Sequence, residues 1–87
     1  MLYVEKTTPE DCFRLAPNLK QLDKFEVALW GFDPLQALLL PFRYKTLSKH
    51  TYTVFDNSDN IVAIFGVTPV TNKPTAGRIW LLSSDLL

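Results

Sequence analysis

The apolar positions of this chain keep one period before residue 50 and another after it. Residues 2–6 are short and β-prone and predict a first strand. Thr7-Thr8-Pro9-Glu10-Asp11 then carries a helix-start signal: a threonine to cap free N–H groups, proline at the first helical position, and two acids at the positive end of the dipole. Pro17 keeps that helix short. Leu19, Leu22, Phe25 or Glu26, and Leu29 recur at three- and four-residue spacing. They predict a second helix over 18–30 with one apolar face turned to the core. Gly31 suits its C-terminal cap. Asp33-Pro34 repeats the cap-and-proline start, and 35–40 form a third helix that Pro41 bends or ends.

From His50 the pattern becomes that of strands. Residues 51–55 and 61–67 are β-branched and aromatic, and Asp56-Asn57-Ser58-Asp59-Asn60 between them is turn chemistry, so the two runs form a hairpin. Residues 69–77, rich in Pro, Thr, Asn and Gly, read as a loop before a last strand over 78–83. The class is α+β: a mostly antiparallel four-stranded sheet in chain order, with two or three short helices between its first two strands. The whole of 1–87 is one domain, since two cores in 87 residues would each be too small.

The third strand is apolar on both faces. Alternation sends Ile61, Ala63, Phe65 and Val67 one way, and Val62 and Ile64 the other. Such a sheet needs cover on two sides, and the helices supply one. Val62, Ile64, Trp80 and Leu82 are the interface candidates on this pattern, with the last strand left as an open edge. The expected partner is a second copy of the chain or another protein.

Composition narrows the classes. At 47% hydrophobic and 13% aromatic the chain can build a core. Nine acidic residues balance nine basic ones, with no basic stripe, which argues against nucleic acid. The run Leu38-Leu39-Leu40 is far short of the ~20 residues that span a bilayer, so no membrane partner is expected. Leu2-Tyr3-Val4 followed by Glu5 and Lys6 is not a signal peptide. One cysteine, Cys12, allows no internal disulfide and fits a reducing, cytoplasmic setting.

The candidate chemistry is thin. Cys12 near a helix start and His50 make a conceivable thiol–imidazole pair, but nothing in the sequence joins them. They read as a small buried cysteine and a histidine at a strand entrance. Asp23 and Glu26, one turn apart between Lys20 and Lys24, read as a solvated face and not as a metal or acid–base pair. Trp30 and Trp80 read as core. One histidine and one cysteine give no zinc spacing. No catalytic, cofactor or metal residue is assigned.

Several segments together resemble a known family: Thr8-Pro9-Glu10-Asp11, Leu19 to Asp23 with Glu26, and Gly31 with Pro34-Leu35-Gln36-Ala37-Leu38. Ala63-Ile64-Phe65-Gly66-Val67-Thr68-Pro69 and Gly77-Arg78-Ile79-Trp80-Leu81-Leu82 before Ser84-Asp85-Leu86 complete the set. Their order resembles the front half of the GNAT acetyltransferases. The likeness looks closer to a phage subset of that superfamily, the acetyltransferase-like internal virion proteins of podoviruses and their prophage relatives. That likeness implies a glycine-rich loop and helix after the fourth strand to hold the coenzyme A pyrophosphate. Here the chain runs out at Ser83-Ser84-Asp85-Leu86-Leu87, and Gly31, Gly66 and Gly77 lie elsewhere. The expectation is a non-catalytic structural or interaction protein of phage or prophage origin, in the host cytoplasm or the virion, that binds no acetyl-CoA. The alternative is an N-acetyltransferase whose cofactor half comes from a partner chain or was lost by truncation. A small-ligand module using the open sheet face is a third possibility, for which no residue speaks.

Overall fold

In the computed structural model, which describes residues 1–43, 50–70 and 73–87, the chain runs β1 (Tyr3–Lys6), α1 (Pro9–Leu15), a 3-10 turn (Ala16–Asn18), α2 (Gln21–Leu29) and α3 (Pro34–Arg43). β2 (Thr51–Phe55), β3 (Ile61–Val70) and β4 (Lys73–Ser83) follow. The strands form one antiparallel sheet in the order β1-β2-β3-β4, as the sequence predicts, with β1 and β4 at its edges.

The local starts and stops follow from the residues. Thr8 caps α1 in a reciprocal box with Asp11: the Asp11 N–H donates to Thr8 Oγ1 at 3.4 Å, and the Thr8 N–H to Asp11 Oδ2 at 3.0 Å. Asp33 and Gln36 form the same box at α3, at 2.8 and 3.1 Å. After α2 the Gly31 backbone takes φ +86°. The Phe32 N–H then reaches the Val27 carbonyl and the Gly31 N–H that of Ala28, closing the helix in a Schellman motif. Pro41 does not end α3. It lies inside the helix, where its missing N–H removes one bond, and the helix continues to Arg43.

Two other boundaries depart from the periodicity. α2 starts at Gln21 and not near Asn18, because Leu19 and Lys20 are extended and pair with the end of β4. Leu19 bridges Ser84, and the Lys20 N–H donates to the Ser83 carbonyl at 2.9 Å. The stretch read as a loop over 69–77 is largely strand: β3 runs to Val70 and β4 begins at Lys73. Proline and glycine are tolerated there because the ladder is irregular, passing from Pro69↔Gly77 directly to Val70↔Lys73.

The core lies between the helices and one sheet face. Cys12, Leu15, Leu19 and Leu38 pack on Phe55, Ile61 and Ile64, with Trp80 and Leu82 at the margin. A bulge where β2 meets β3 sets this arrangement. Phe55 pairs with Ile61 and Val54 with Ala63, so Val62 is extra and Ile61 joins Ile64 on the helix side. The phase predicted by plain alternation is therefore wrong at Ile61.

A buried polar knot fastens the start of α1 to β2. Thr53 donates to Asp11 Oδ2 at 3.0 Å, and Thr7 and Thr53 hydroxyls lie 2.9 Å apart. Thr53 has one hydrogen and spends it on the carboxylate, so Thr7 is the donor of the second bond. At the other end Asp23, read from sequence as part of a solvated face, is half-buried. It accepts from the Ser83 N–H at 2.9 Å and the Ser83 hydroxyl at 3.2 Å. Asp23→Ala leaves the buried Ser83 N–H unpartnered, and it is expected to lower stability by ~1–3 kcal/mol in urea unfolding. A loss no larger than that of Glu26→Ala, an exposed neighbour, would show that the bond matters little.

Candidate interaction surface

Towards its end β4 reads Ile79-Trp80-Leu81-Leu82, apolar residues that alternate between the two sheet faces. Trp80 and Leu82 turn to the helices and pack against the core cluster. The Trp80 ring lies across Gly66, where an added Cβ would come within 2.7 Å of the ring, so the close approach requires glycine. Ile79 and Leu81 turn to the opposite face, 79% and 47% exposed. Their cross-strand neighbours on that face are Val67 and Phe65, and beyond these come Tyr52, Val54 and Val4. Tyr52 and Phe65 rings lie 5.6 Å apart. None of the described helices covers this strip.

The edge of β4 is the second feature. Trp80 and Leu82 pair with Gly66 and Ile64, so the backbone groups of Ile79 and Leu81 point away from β3 into solvent. Beside this edge runs a groove of about 450 Å³ whose walls include Val27 and Trp30 of α2 and Leu40 and Pro41 of α3.

The third feature is α2 itself. Its predicted core stripe faces outward: Leu22, Phe25 and Leu29 are exposed, as is Trp30. The inward face is Lys20, Asp23, Lys24 and Val27, of which Val27 is buried and Asp23 holds Ser83. The helix is oriented by its polar anchor on β4, which the apolar spacing does not reveal. Trp30, expected in the core, is on the surface for the same reason.

The four sequence candidates therefore divide. Ile64 is fully buried under the helices, and Val62 is 3% exposed. Neither is available to a partner, because the bulge and the helix layer take them. Trp80 and Leu82 are half-buried on the helix side, along the groove. On the open face of β3 and β4 the apolar side chains left in water include Ile79, Leu81 and Val67, whose alternation signal was legible once the phase of β3 was known.

Cys12 and His50, the thiol and imidazole of the sequence, do not come together. Cys12 is fully buried, its thiol 3.3 Å from the Leu38 carbonyl, and burial pushes it up to about 12. A thiol so placed is no nucleophile. His50 is exposed at the entrance to β2. Among the described residues no cluster of three or more His, Cys, Asp or Glu is placed to hold a metal, and no helix is long and apolar enough to cross a membrane. A polar depression of about 510 Å³ includes Arg14, Asn18, Lys24 and Asp85 in its lining. Arg14 is already engaged there, donating to the Asp59 carbonyl at 2.6 Å.

No family model, curated protein or solved structure matches the chain.

The raised thiol has a signed consequence. The unfolded chain ionises Cys12 near its ordinary value of 9.0, before the folded chain does. The folded state's advantage is whole below that value and is lost as pH rises towards 12. Stability should fall by up to ~1.4 kcal/mol per pH unit in this window. Urea unfolding at about pH 8 and about pH 10 should show a loss that Cys12→Ala reduces. An equal loss in the variant would contradict the assignment.

Proposed function

We propose that this chain is a non-catalytic structural or interaction protein, of the acetyltransferase-like phage or prophage kind that its element order resembles. It works by docking its sheet against another protein surface. One observation carries the reading: a continuous apolar strip, Phe65, Val67, Ile79 and Leu81, on a face that no described helix covers. Monomers rarely keep contiguous apolar patches beyond a few hundred Å2. At ~25 cal/mol per Å2, a strip of that size left wet forgoes several kcal/mol, comparable to the stability of a small domain. The engaged Arg14, the buried Cys12 and the balanced charge supply no competing site.

The strip should bind anilinonaphthalene sulfonate in dilute, folded protein. Val67→Lys combined with Leu81→Lys should abolish most of that signal while each change alters stability by no more than ~0.5 kcal/mol, as exposed sites do. Ile64→Asp, by contrast, should unfold the chain, because it buries a carboxylate under the helices. Dye binding that survives the double variant, or is missing from the native chain, contradicts the proposal.

A further inference from the structure

The row beside β4, where a fifth strand would lie, is begun by the chain itself and then abandoned. Leu19 bridges Ser84 antiparallel, and the Lys20 N–H donates to the Ser83 carbonyl, after which the backbone coils into α2. The Ser83 N–H is taken by the Asp23 carboxylate. The Ser84 N–H donates to the Val62 carbonyl, so Leu82 and Trp80, in the same phase, bond to Ile64 and Gly66. The alternate residues Leu81, Ile79 and Gly77 therefore turn their N–H and C=O groups into the abandoned row. Among the described residues nothing bonds to those of Ile79 and Leu81 there. Beyond Gly77 the ladder is irregular. The open row beside residues 77–81 thus admits about five residues, ~17 Å of extended chain.

We infer that this row receives a short extended segment of a partner protein, paired antiparallel with residues 77–81 and continuing the row that Leu19 and Lys20 begin. The inference rests on the interaction reading above and names the segment by which the partner is held. Antiparallel is the direction of the Leu19–Ser84 bridge and the stabler of the two ladders. Segment residues opposite Ile79 and Leu81 exchange both backbone bonds with them and lay their side chains on the open face, beside the exposed strip. The residue between them, opposite Trp80, points to the helix side. It is the anchor, entering the groove of about 450 Å³ between Val27 and Trp30 on α2 and Leu40 and Pro41 on α3.

Three features select this occupant. A helix laid along the edge spends its backbone groups on itself and leaves the outward donors and acceptors of Ile79 and Leu81 unmet. The edge of a folded sheet, a second copy's included, must bring its neighbouring strands up to a row that Leu19 and Lys20 close, whereas a free segment needs only the open row. The groove supplies the third feature. Its lining is apolar apart from Glu26, exposed on α2. The segment that complements it has an apolar anchor with a lysine or arginine close by. Backbone pairing then gives affinity, and the groove and Glu26 give the choice of sequence.

The probe is a displayed library of random heptapeptides selected on the whole chain, with the selected sequences then synthesised and titrated by fluorescence anisotropy. They should share an apolar anchor with a lysine or arginine within two residues of it. N-methylation of either residue flanking the anchor deletes a donor that faces β4 and should weaken binding about tenfold. N-methylation of the anchor, whose amide faces away, should weaken it less than about twofold, whereas alanine in place of the anchor should cost at least about tenfold. On the protein, Ile79→Pro deletes an outward N–H and no bond within the sheet, and should weaken binding about tenfold. Glu26→Lys should weaken it about threefold or more, and Leu22→Lys, on the outer face of α2, should leave it unchanged. If Ile79→Pro does not fold, the N-methyl scan decides, since it alters the peptide alone. A library that yields no binding sequence, or N-methylation losses without the alternation, would overturn the inference. So would a stable dimer of the native chain that Ile79→Pro dissociates, because a second copy then holds the row. The interaction reading survives each of these and falls only if the strip fails its dye test.

Discussion

A sheet with apolar residues on both faces needs two layers of cover, and the described helices between β1 and β2 form one. The rest of the structure is organised by that shortage. The helices take the face carrying Ile61, Ile64 and Phe55 and seal it until Ile64, Leu38 and Cys12 are fully buried. The other face keeps Val67, Ile79 and Leu81 in water. Losing even a few hundred Å2 of apolar burial costs several kcal/mol, on the scale of the net stability of such a small domain. The same side chains that make β3 and β4 strands thus also leave apolar surface in water.

How the single layer is fastened explains its least intuitive feature. α2 could bury Leu22, Phe25 and Leu29, and instead it turns them outward. Its first turn is committed to β4, through the Lys20 N–H and the Asp23 carboxylate on Ser83. A buried N–H without a partner costs ~1–3 kcal/mol, and this helix start satisfies both outward groups of Ser83 at once. The clamp closes one end of the β4 edge and leaves the stretch before it open. It also lines one side of the groove with Val27 and Trp30. Function, on this account, is carried by what the clamp does not reach.

The fold was legible where one residue dictates one local geometry. Thr8 with Asp11, Asp33 with Pro34, and Gly31 with its positive φ each mark a helix end that the structure places within a few residues. The hairpin from β2 to β3 was legible because its period of two is interrupted by a turn of Asp, Asn and Ser. Three things were not. The spacing of Leu22, Phe25 and Leu29 shows that a stripe exists, and only the Asp23–Ser83 bond decides which way it points. The bulge at Val62 shifts the phase of β3 by one residue, which is enough to exchange buried and open positions. That shift is why Val62 and Ile64 looked open and Ile79 and Leu81 went unmarked. Residues 69–77 had the composition of a loop, because an irregular edge ladder tolerates the proline and glycine that a regular one excludes.

The central claim is that the outward edge of β4 is open in the single chain and closed by a bound partner segment. Amide hydrogen exchange, read residue by residue for the chain alone and for the chain saturated with a selected peptide, tests it most directly. The N–H groups of Trp80 and Leu82 bond to β3 and should be protected in both states. Those of Ile79 and Leu81 should exchange fast in the chain alone and slow markedly when the peptide binds. Ile79 and Leu81 amides that are already protected in the chain alone, or that stay unprotected with the peptide bound, would contradict the account.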